Sequence, residues 1–130
     1  MKDRIERMQF ITRDYVRANR DKIFIFGDNL QRRGYGGQAY AMRGEPNAIG
    51  IPTKKSPSYK ASAFFTDLEF DQNTAAIDAA FAEITNAVTD SIRVIVIPSD
   101  GLGTGRAQLE RRAPRTFAYL QKCLTQLASE

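Results

Sequence analysis

Two glycine-rich segments contain the residue types of this chain that are best suited to binding an anion. The first is Gly101-Leu102-Gly103-Thr104-Gly105, which follows the apolar run Val94-Ile95-Val96-Ile97. Glycines at alternate positions let the backbone approach a ligand closely and turn several N–H groups toward one point. The helical turn that we expect next adds its positive dipole end. The segment therefore favours a phosphate or diphosphate ligand; the alternative is a glycine loop that only turns the chain.

The second segment is Gly34-Tyr35-Gly36-Gly37, which comes after the apolar run Ile23-Phe24-Ile25-Phe26. Asn29 lies at the exit of this run, and its amide offers donors and an acceptor that suit the hydroxyls of a sugar. Asparagine is also a frequent turn residue that tolerates left-handed backbone, and this interpretation stays open. Tyr35 is expected either to cover a ligand or to lie exposed at the tip of the loop.

Lys54 is the candidate nucleophile, and it comes shortly after the apolar residues 47–51. A lysine that is surrounded by cations and partly removed from water has its charged form disfavoured, so its pKa falls and a neutral amine becomes available. We expect Lys55 to lower the pKa of Lys54 and to contact phosphate, and Asp100 to serve as a general acid or base. The alternative is a solvated pair of lysines on a surface turn with no role in chemistry.

Hydrophobic periodicity predicts an α/β fold that brings these segments together. Strands are expected at residues 8–11, 22–26, 47–51 and 93–97, and helices at 12–19, 37–43, 73–88 and from Pro114 onward. Thr12 is predicted to cap the first helix, and Pro114 to occupy the first turn of the last one. Strands that alternate with helices imply right-handed crossovers, and ligands of such sheets bind beyond the carboxyl ends of the strands.

Composition excludes several classes of protein and of site. The 130 residues suit one domain, and no apolar run approaches the roughly 20 residues of a membrane span. Histidine is absent, which excludes Ser-His-Asp and Cys-His nucleophile systems and His-ligated metals. The single cysteine, Cys123, excludes an intramolecular disulfide and suits the cytoplasm.

Positive charge is concentrated in the segments that also contain the glycines. Residues 31–60 carry six lysines and arginines with one acid, and residues 93–122 carry six with two acids, whereas residues 61–92 carry six acids and no base. This distribution favours an anionic partner such as a nucleotide; a mixed, solvated surface is the alternative.

Taken in order, these segments resemble those of macrodomains, the ADP-ribose-binding α/β family. They are most similar to the branch that contains terminal ADP-ribose protein glycohydrolase and the DNA-ADP-ribosyl glycohydrolases of toxin–antitoxin systems. The resemblance covers most of the chain and is carried by residues 11–16, residues 26–39 with Asn29, the motif Pro52-Thr53-Lys54, and the loop 98–105. It implies a three-layer, macrodomain-like sandwich with a mixed, mostly parallel central sheet, formed as one domain by residues 1–130.

The resemblance also implies a function and a set of site residues. Lys54 would attack the anomeric carbon of the distal ribose in an ADP-ribosyl group on nucleic acid or protein, or would anchor the leaving oxygen, with Asp100 as general acid or base. Asp14 would contact the adenine amino group. The other residues expected to contact ADP-ribose are Tyr15, Asn29, Gly34, Tyr35, Gly36, Gly37, Thr53, Lys55, Ser99, Gly101, Leu102, Gly103, Thr104 and Gly105.

The partner implied by the resemblance is ADP-ribose or an ADP-ribosylated macromolecule, nucleic acid included, with no metal, no other cofactor and no membrane. Two other functions stay open at this point. One is a non-catalytic module that binds ADP-ribose or a related nucleotide. The other is a small basic nucleic-acid-binding protein in which the glycine segments only turn the chain.

Overall fold

The computed structural model describes residues 4–89, 92 and 94–129. Within these residues the protein has an α/β fold with one four-stranded sheet, whose strand order is β1-β4-β2-β3 and whose three strand pairings are all parallel. The elements in chain order are β1 (Ile5–Met8), α1 (Arg13–Ala18), β2 (Lys22–Asn29), α2 (Ala39–Met42), β3 (Ala48–Lys54), α3 (Phe70–Ala87), β4 (Val94–Pro98), α4 (Leu109–Arg112) and α5 (Pro114–Ser129).

Helices pack on both faces of the sheet, and the side chains of β2 show why. Ile23 and Ile25 point to one face, where they join a cluster with Ile77 of α3 and Leu120 of α5. Phe24 points to the other face, in a cluster formed with residues of α1 and α2. A strand that is buried on both faces has no polar alternation, which explains the continuous apolar run in the sequence.

Several local predictions are confirmed. Helix α1 begins after Thr12, whose hydroxyl accepts a hydrogen bond from the Tyr15 backbone N–H at 3.1 Å. Helix α5 begins at Pro114, and the Asp67 carboxylate accepts hydrogen bonds from two N–H groups of its first turn, those of Arg115 at 2.8 Å and Thr116 at 3.0 Å. This carboxylate comes from a distant part of the chain and satisfies donors that the helix itself cannot.

The predicted strand at residues 8–11 is wrong, because β1 ends at Met8. Phe10 has a φ of +53° and a side chain that is 93% exposed, so the chain turns away from the sheet at the point where the apolar sequence suggested pairing. The expected mixed sheet is wrong as well for the described residues, whose strands run in one direction.

Strand β3 continues three residues beyond its predicted end at Ile51, through Pro52 to Lys54. Proline cannot donate a ladder hydrogen bond, but β3 lies at the edge of the sheet, where one side of the backbone needs no strand partner. Residue 93, the predicted first residue of the last strand, lies outside the described residues.

None of the helices in the described part of the chain is both long and apolar enough to cross a membrane.

Candidate functional site

A cleft of about 170 Å³ lies beyond the carboxyl ends of β2, β3 and β4, and we call it the first cleft. Parallel strands put all their carboxyl ends at one edge, so the loops that follow β2 and β4 meet there. Its lining residues are Gly27, Asp28, Asn29, Arg33, Gly34, Gly36, Gly37, Gln38, Ala39, Arg43, Thr53, Lys54, Pro57, Gly103, Thr104, Gly105, Arg106 and Ala107.

Gln38 ties the two glycine segments together across this cleft. Its side-chain oxygen accepts a hydrogen bond from the Gly27 N–H at 2.8 Å, and its amide nitrogen donates to the Gly101 carbonyl at 2.9 Å. Gly103 lies close to the first segment as well, since a Cβ at Gly27 would lie 3.6 Å from the Gly103 nitrogen, and Gly103 itself has a φ of +76°. The walls of the cleft are therefore fixed to each other by a side-chain bridge and by a glycine that no other residue replaces without strain.

The first cleft has an excess of positive charge. Four cationic side chains line it, those of Arg33, Arg43, Lys54 and Arg106, and Asp28 is the one acid among its lining residues. Asp28 is buried and is already paired with Arg43, which also donates to the Gly34 carbonyl at 2.6 Å. The other three cations have no acid among the lining residues, so the cleft is suited to an anion.

Lys54 is the most buried of these cations, with only 7% of its surface exposed. Its Nζ donates a hydrogen bond to the Ser58 carbonyl at 2.8 Å and lies 4.6 Å from the centre of the Phe64 ring and 5.1 Å from that of Tyr59. Burial lowers the pKa of Lys54, and the nearby positive charges of Arg106 and Arg112 lower it further. The amine is therefore easier to deprotonate than that of a solvated lysine, as a nucleophile or a base requires.

Lys55 does not have the role that the sequence suggested. It forms an ion pair with Glu69 and does not line the first cleft. The cations that lower the pKa of Lys54 are instead Arg106 and Arg112. β3 ends at Lys54, and the chain bends at Lys55, whose ammonium is paired with Glu69.

A second cleft, also of about 170 Å³, adjoins the first and shares Gly37 and Gln38 with it. Its other lining residues are mostly apolar and come from the ends of β1 and β4 and from α2: Met8, Gln9, Phe10, Ile11, Tyr40, Ala41, Met42, Pro98, Ser99 and Asp100. Phe10 and Tyr40 are largely exposed. Two wide, flat rings beside an apolar floor can contact a planar ligand group.

The two clefts divide the residues predicted from the sequence. The first cleft brings together Lys54, Asn29, Gly34, Gly36, Gly37, Thr53, Gly103, Thr104 and Gly105. The second contains Ser99 and Asp100 together with Gly37. Asp100 therefore does not line the cleft that contains Lys54, and the structure does not bring these two residues together as a catalytic pair.

Six predicted residues line neither cleft: Asp14, Tyr15, Tyr35, Lys55, Gly101 and Leu102. Tyr15 packs edge-on against Phe24, with the ring centres 5.8 Å apart, and accepts a hydrogen bond from Lys22. The Leu102 side chain is fully buried, and the Gly101 carbonyl is the acceptor for Gln38. Tyr35 lies exposed at the loop, which was one of the two expectations for it.

Asn29 lies in the first cleft, but its side chain is used by its own loop. Its Nδ2 donates to the Arg33 carbonyl at 2.8 Å, and its Oδ1 accepts from the Gln31 N–H at 3.1 Å. This arrangement favours the turn interpretation over a contact with a sugar hydroxyl.

Sequence reasoning missed four residues that shape the clefts: Phe10, Gln38, Arg43 and Arg106. Phe10 was assigned to a strand, and the others act through partners that are far away in the sequence. Their one available signal was the excess of basic residues in the two glycine-rich segments, which indicates a charged surface but not which arginine lines it.

A comparison with models of protein families shows the family of this chain. The model of a family of unknown function, DUF7831, matches residues 6–123, which include both clefts. The chain belongs to this family. No curated protein and no solved structure matches the chain. The function is therefore argued from the clefts themselves.

The bridge formed by Gln38 gives a prediction about stability. Gln38→Ala removes two hydrogen bonds and leaves the Gly27 N–H and the Gly101 carbonyl without that partner, so we expect the free energy of unfolding to fall by about 1–3 kcal/mol. Gln38→Glu keeps the acceptor for Gly27 and should lose less.

Urea denaturation of the wild type and the two variants measures this effect, with Gln72→Ala as the control because Gln72 is an exposed residue of α3. A Gln38→Ala protein as stable as the control would show that the bridge does not hold the walls together.

Proposed function

We propose that this chain binds ADP-ribose, or a nucleotide built like it, across the two adjoining clefts, and that its fold is a small macrodomain-like sandwich. The observation that carries the proposal is the pairing of a cationic, glycine-walled cleft with an apolar, aromatic one. A ligand that fits both must have a negatively charged part joined to a flat one. Nucleoside diphosphates with an attached sugar have this construction.

The charged part fits the first cleft for two reasons. Gly103, Thr104 and Gly105 have backbone N–H groups with no acceptor among the described residues, so these donors are open to phosphate oxygens. The cations of the cleft outnumber its single acid, which is already paired. A diphosphate carries about two negative charges and supplies both the acceptors and the charge that the cleft lacks.

The base fits the second cleft. Phe10 and Tyr40 offer aromatic faces, Met42 and Pro98 offer apolar surface, and Asp100 offers a carboxylate near the same floor. A purine stacks on such rings, and an exocyclic amino group can donate to a carboxylate. In this proposal Asp100 takes the adenine contact that the resemblance had implied for Asp14.

Hydrolysis of an ADP-ribosyl linkage is a second candidate function, and the state of Lys54 favours it. The neutral amine would attack the anomeric carbon of the distal ribose and form a carbon–nitrogen bond while the bond from that carbon to the acceptor breaks. The acceptor leaves with the electron pair and takes up a proton. Water then hydrolyses the carbon–nitrogen bond, which releases ADP-ribose and restores the amine.

The binding proposal is tested by calorimetric titration with ADP-ribose. We expect the wild type to bind it and Phe10→Ala to bind it about 1–3 kcal/mol more weakly, since a stacked base contributes about that much. The control is Leu68→Ala, because Leu68 is exposed outside both clefts. A protein that gives no heat with ADP-ribose but binds an oligonucleotide, and loses that binding in salt, would be the basic nucleic-acid-binding protein instead.

The hydrolysis proposal is tested by release of ADP-ribose from ADP-ribosylated oligonucleotide and protein substrates. We expect Lys54→Ala to lower the rate by at least about 100-fold and to leave substrate binding detectable. Because the reactive form is the neutral amine, the wild-type rate should rise with pH and level off above the lowered pKa of Lys54.

The control for hydrolysis is Lys122→Ala, which removes one positive charge from an exposed position of α5. Undiminished release by Lys54→Ala would contradict the lysine mechanism. Binding of ADP-ribose without any release by the wild type would leave the chain as a binding module.

A further inference from the structure

Arg106 differs from the other arginines that line the first cleft. Arg43 is paired with Asp28, and Arg33 donates to the side chain of Gln31 at 2.7 Å. The Arg106 guanidinium has no hydrogen bond, ion pair or ring contact within the described part of the chain. It lies close enough to Lys54 and its charge is of the same sign, so it lowers the pKa of that lysine. Its present position is therefore not explained by any attractive partner.

The Arg106 side chain lies next to Gly36, a glycine of the segment that follows β2. A Cβ at Gly36 would lie 3.0 Å from Arg106 Cζ and closer still to Nη1. Gly36 does not have a positive φ, so its backbone conformation does not require glycine. A side chain at residue 36 would instead displace the Arg106 guanidinium, which is the far end of a flexible side chain.

Arg106 thus reaches from the loop after β4 to the glycine segment after β2, and both Arg106 and Gly36 line the first cleft. The glycines on either side of this contact, Gly37 and Gly105, face open space, since a Cβ at either would meet nothing within 4 Å. Lys54 is held in place by the Ser58 carbonyl and by two rings, whereas Arg106 is exposed and is not held. Of these two cations, Arg106 is the one that can follow a ligand.

We infer that Arg106 is a latch for the ligand of the first cleft, one that leaves the Gly36 backbone to form a paired contact with two oxygens of a bound diphosphate and so slows its release. This inference deepens the proposed function by naming the residue that closes over the anion. The chemistry is that of guanidinium, whose planar fork matches a phosphate bidentately, as a lysine ammonium does not. Gly36 contributes by leaving room for the guanidinium beside the wall of the first cleft.

The test uses inorganic pyrophosphate and ADP-ribose as separate probes of the full chain. We expect Arg106→Ala to weaken the binding of both by about 10- to 100-fold, as loss of a charged hydrogen-bonded contact does, and to increase the dissociation rate of ADP-ribose. Arg106→Lys keeps the charge but not the fork, and should recover only part of the affinity. The control is Arg7→Ala, since Arg7 is an exposed residue of β1 outside both clefts.

Gly36→Ala separates an arginine that moves onto the ligand from one that binds it while lying against Gly36. It keeps Arg106 and the net charge, and it removes only the position at Gly36 that the guanidinium leaves when the ligand binds, so the dissociation rate of ADP-ribose should stay that of the wild type. If Arg106→Ala binds pyrophosphate as tightly as the wild type, or if Gly36→Ala speeds the dissociation of ADP-ribose as much as Arg106→Ala does, the latch is wrong.

The two probes also distinguish the latch from the proposed function. Binding of pyrophosphate that depends on Arg106, without binding of ADP-ribose, would support the latch and overturn the proposed function. A wild-type protein that binds neither probe would overturn both.

Discussion

Repulsion between positive charges at the carboxyl edge of the sheet is the constraint around which the rest of this structure is arranged. Lys54 is buried close to Arg106 and Arg112, and the one acid of the first cleft is already paired with Arg43. Such a group of cations opposes folding unless something compensates for it. The compensation within the chain is partial: a carbonyl and two aromatic faces around Lys54, and the ring of Phe64 beneath Arg112, whose guanidinium carbon is 3.8 Å from its centre. A bound anion would supply the rest of this compensation.

The fold makes this arrangement possible because its strands are parallel. The four described strands end at the same edge, and the loops that follow β2 and β4 are drawn together by Gln38 and by the close approach at Gly103. An antiparallel bridge between Lys54 and Phe64 brings the following chain back to the lysine, whose Nζ lies 4.6 Å from the centre of the Phe64 ring. The rigid part of the site is therefore backbone and glycine, and the adjustable part is the long cationic side chains above it.

The sequence predicted the features that depend on near neighbours. The Thr12 cap, the start of α5 at Pro114 and the glycine segments after apolar runs are all local patterns, and the structure contains each of them. The place of Lys54 within β3 was not predicted, because the strand was ended at Ile51, before a proline that an edge strand accommodates.

Features that depend on partners far away in the sequence could not be predicted from it. Asp28 and Arg43 are joined by the turn from β2 to α2, and Arg106 meets Gly36 only because β4 pairs with β2. Likewise, the separation of Asp100 from Lys54 arises from which cleft each strand end faces, and no spacing in the sequence encodes it. Burial could not be predicted from the sequence either, since only the packed structure shows that Lys54 is shielded from water and that Phe10 is not.

The most direct measurement is a crystal structure of the chain grown with ADP-ribose. We expect the diphosphate between the two glycine segments, with oxygens on the Gly103–Gly105 amides and on Arg106, the distal ribose beside Lys54, and the adenine against Phe10. A ligand bound on another face of the sheet, or with its phosphates away from these amides, would contradict the account.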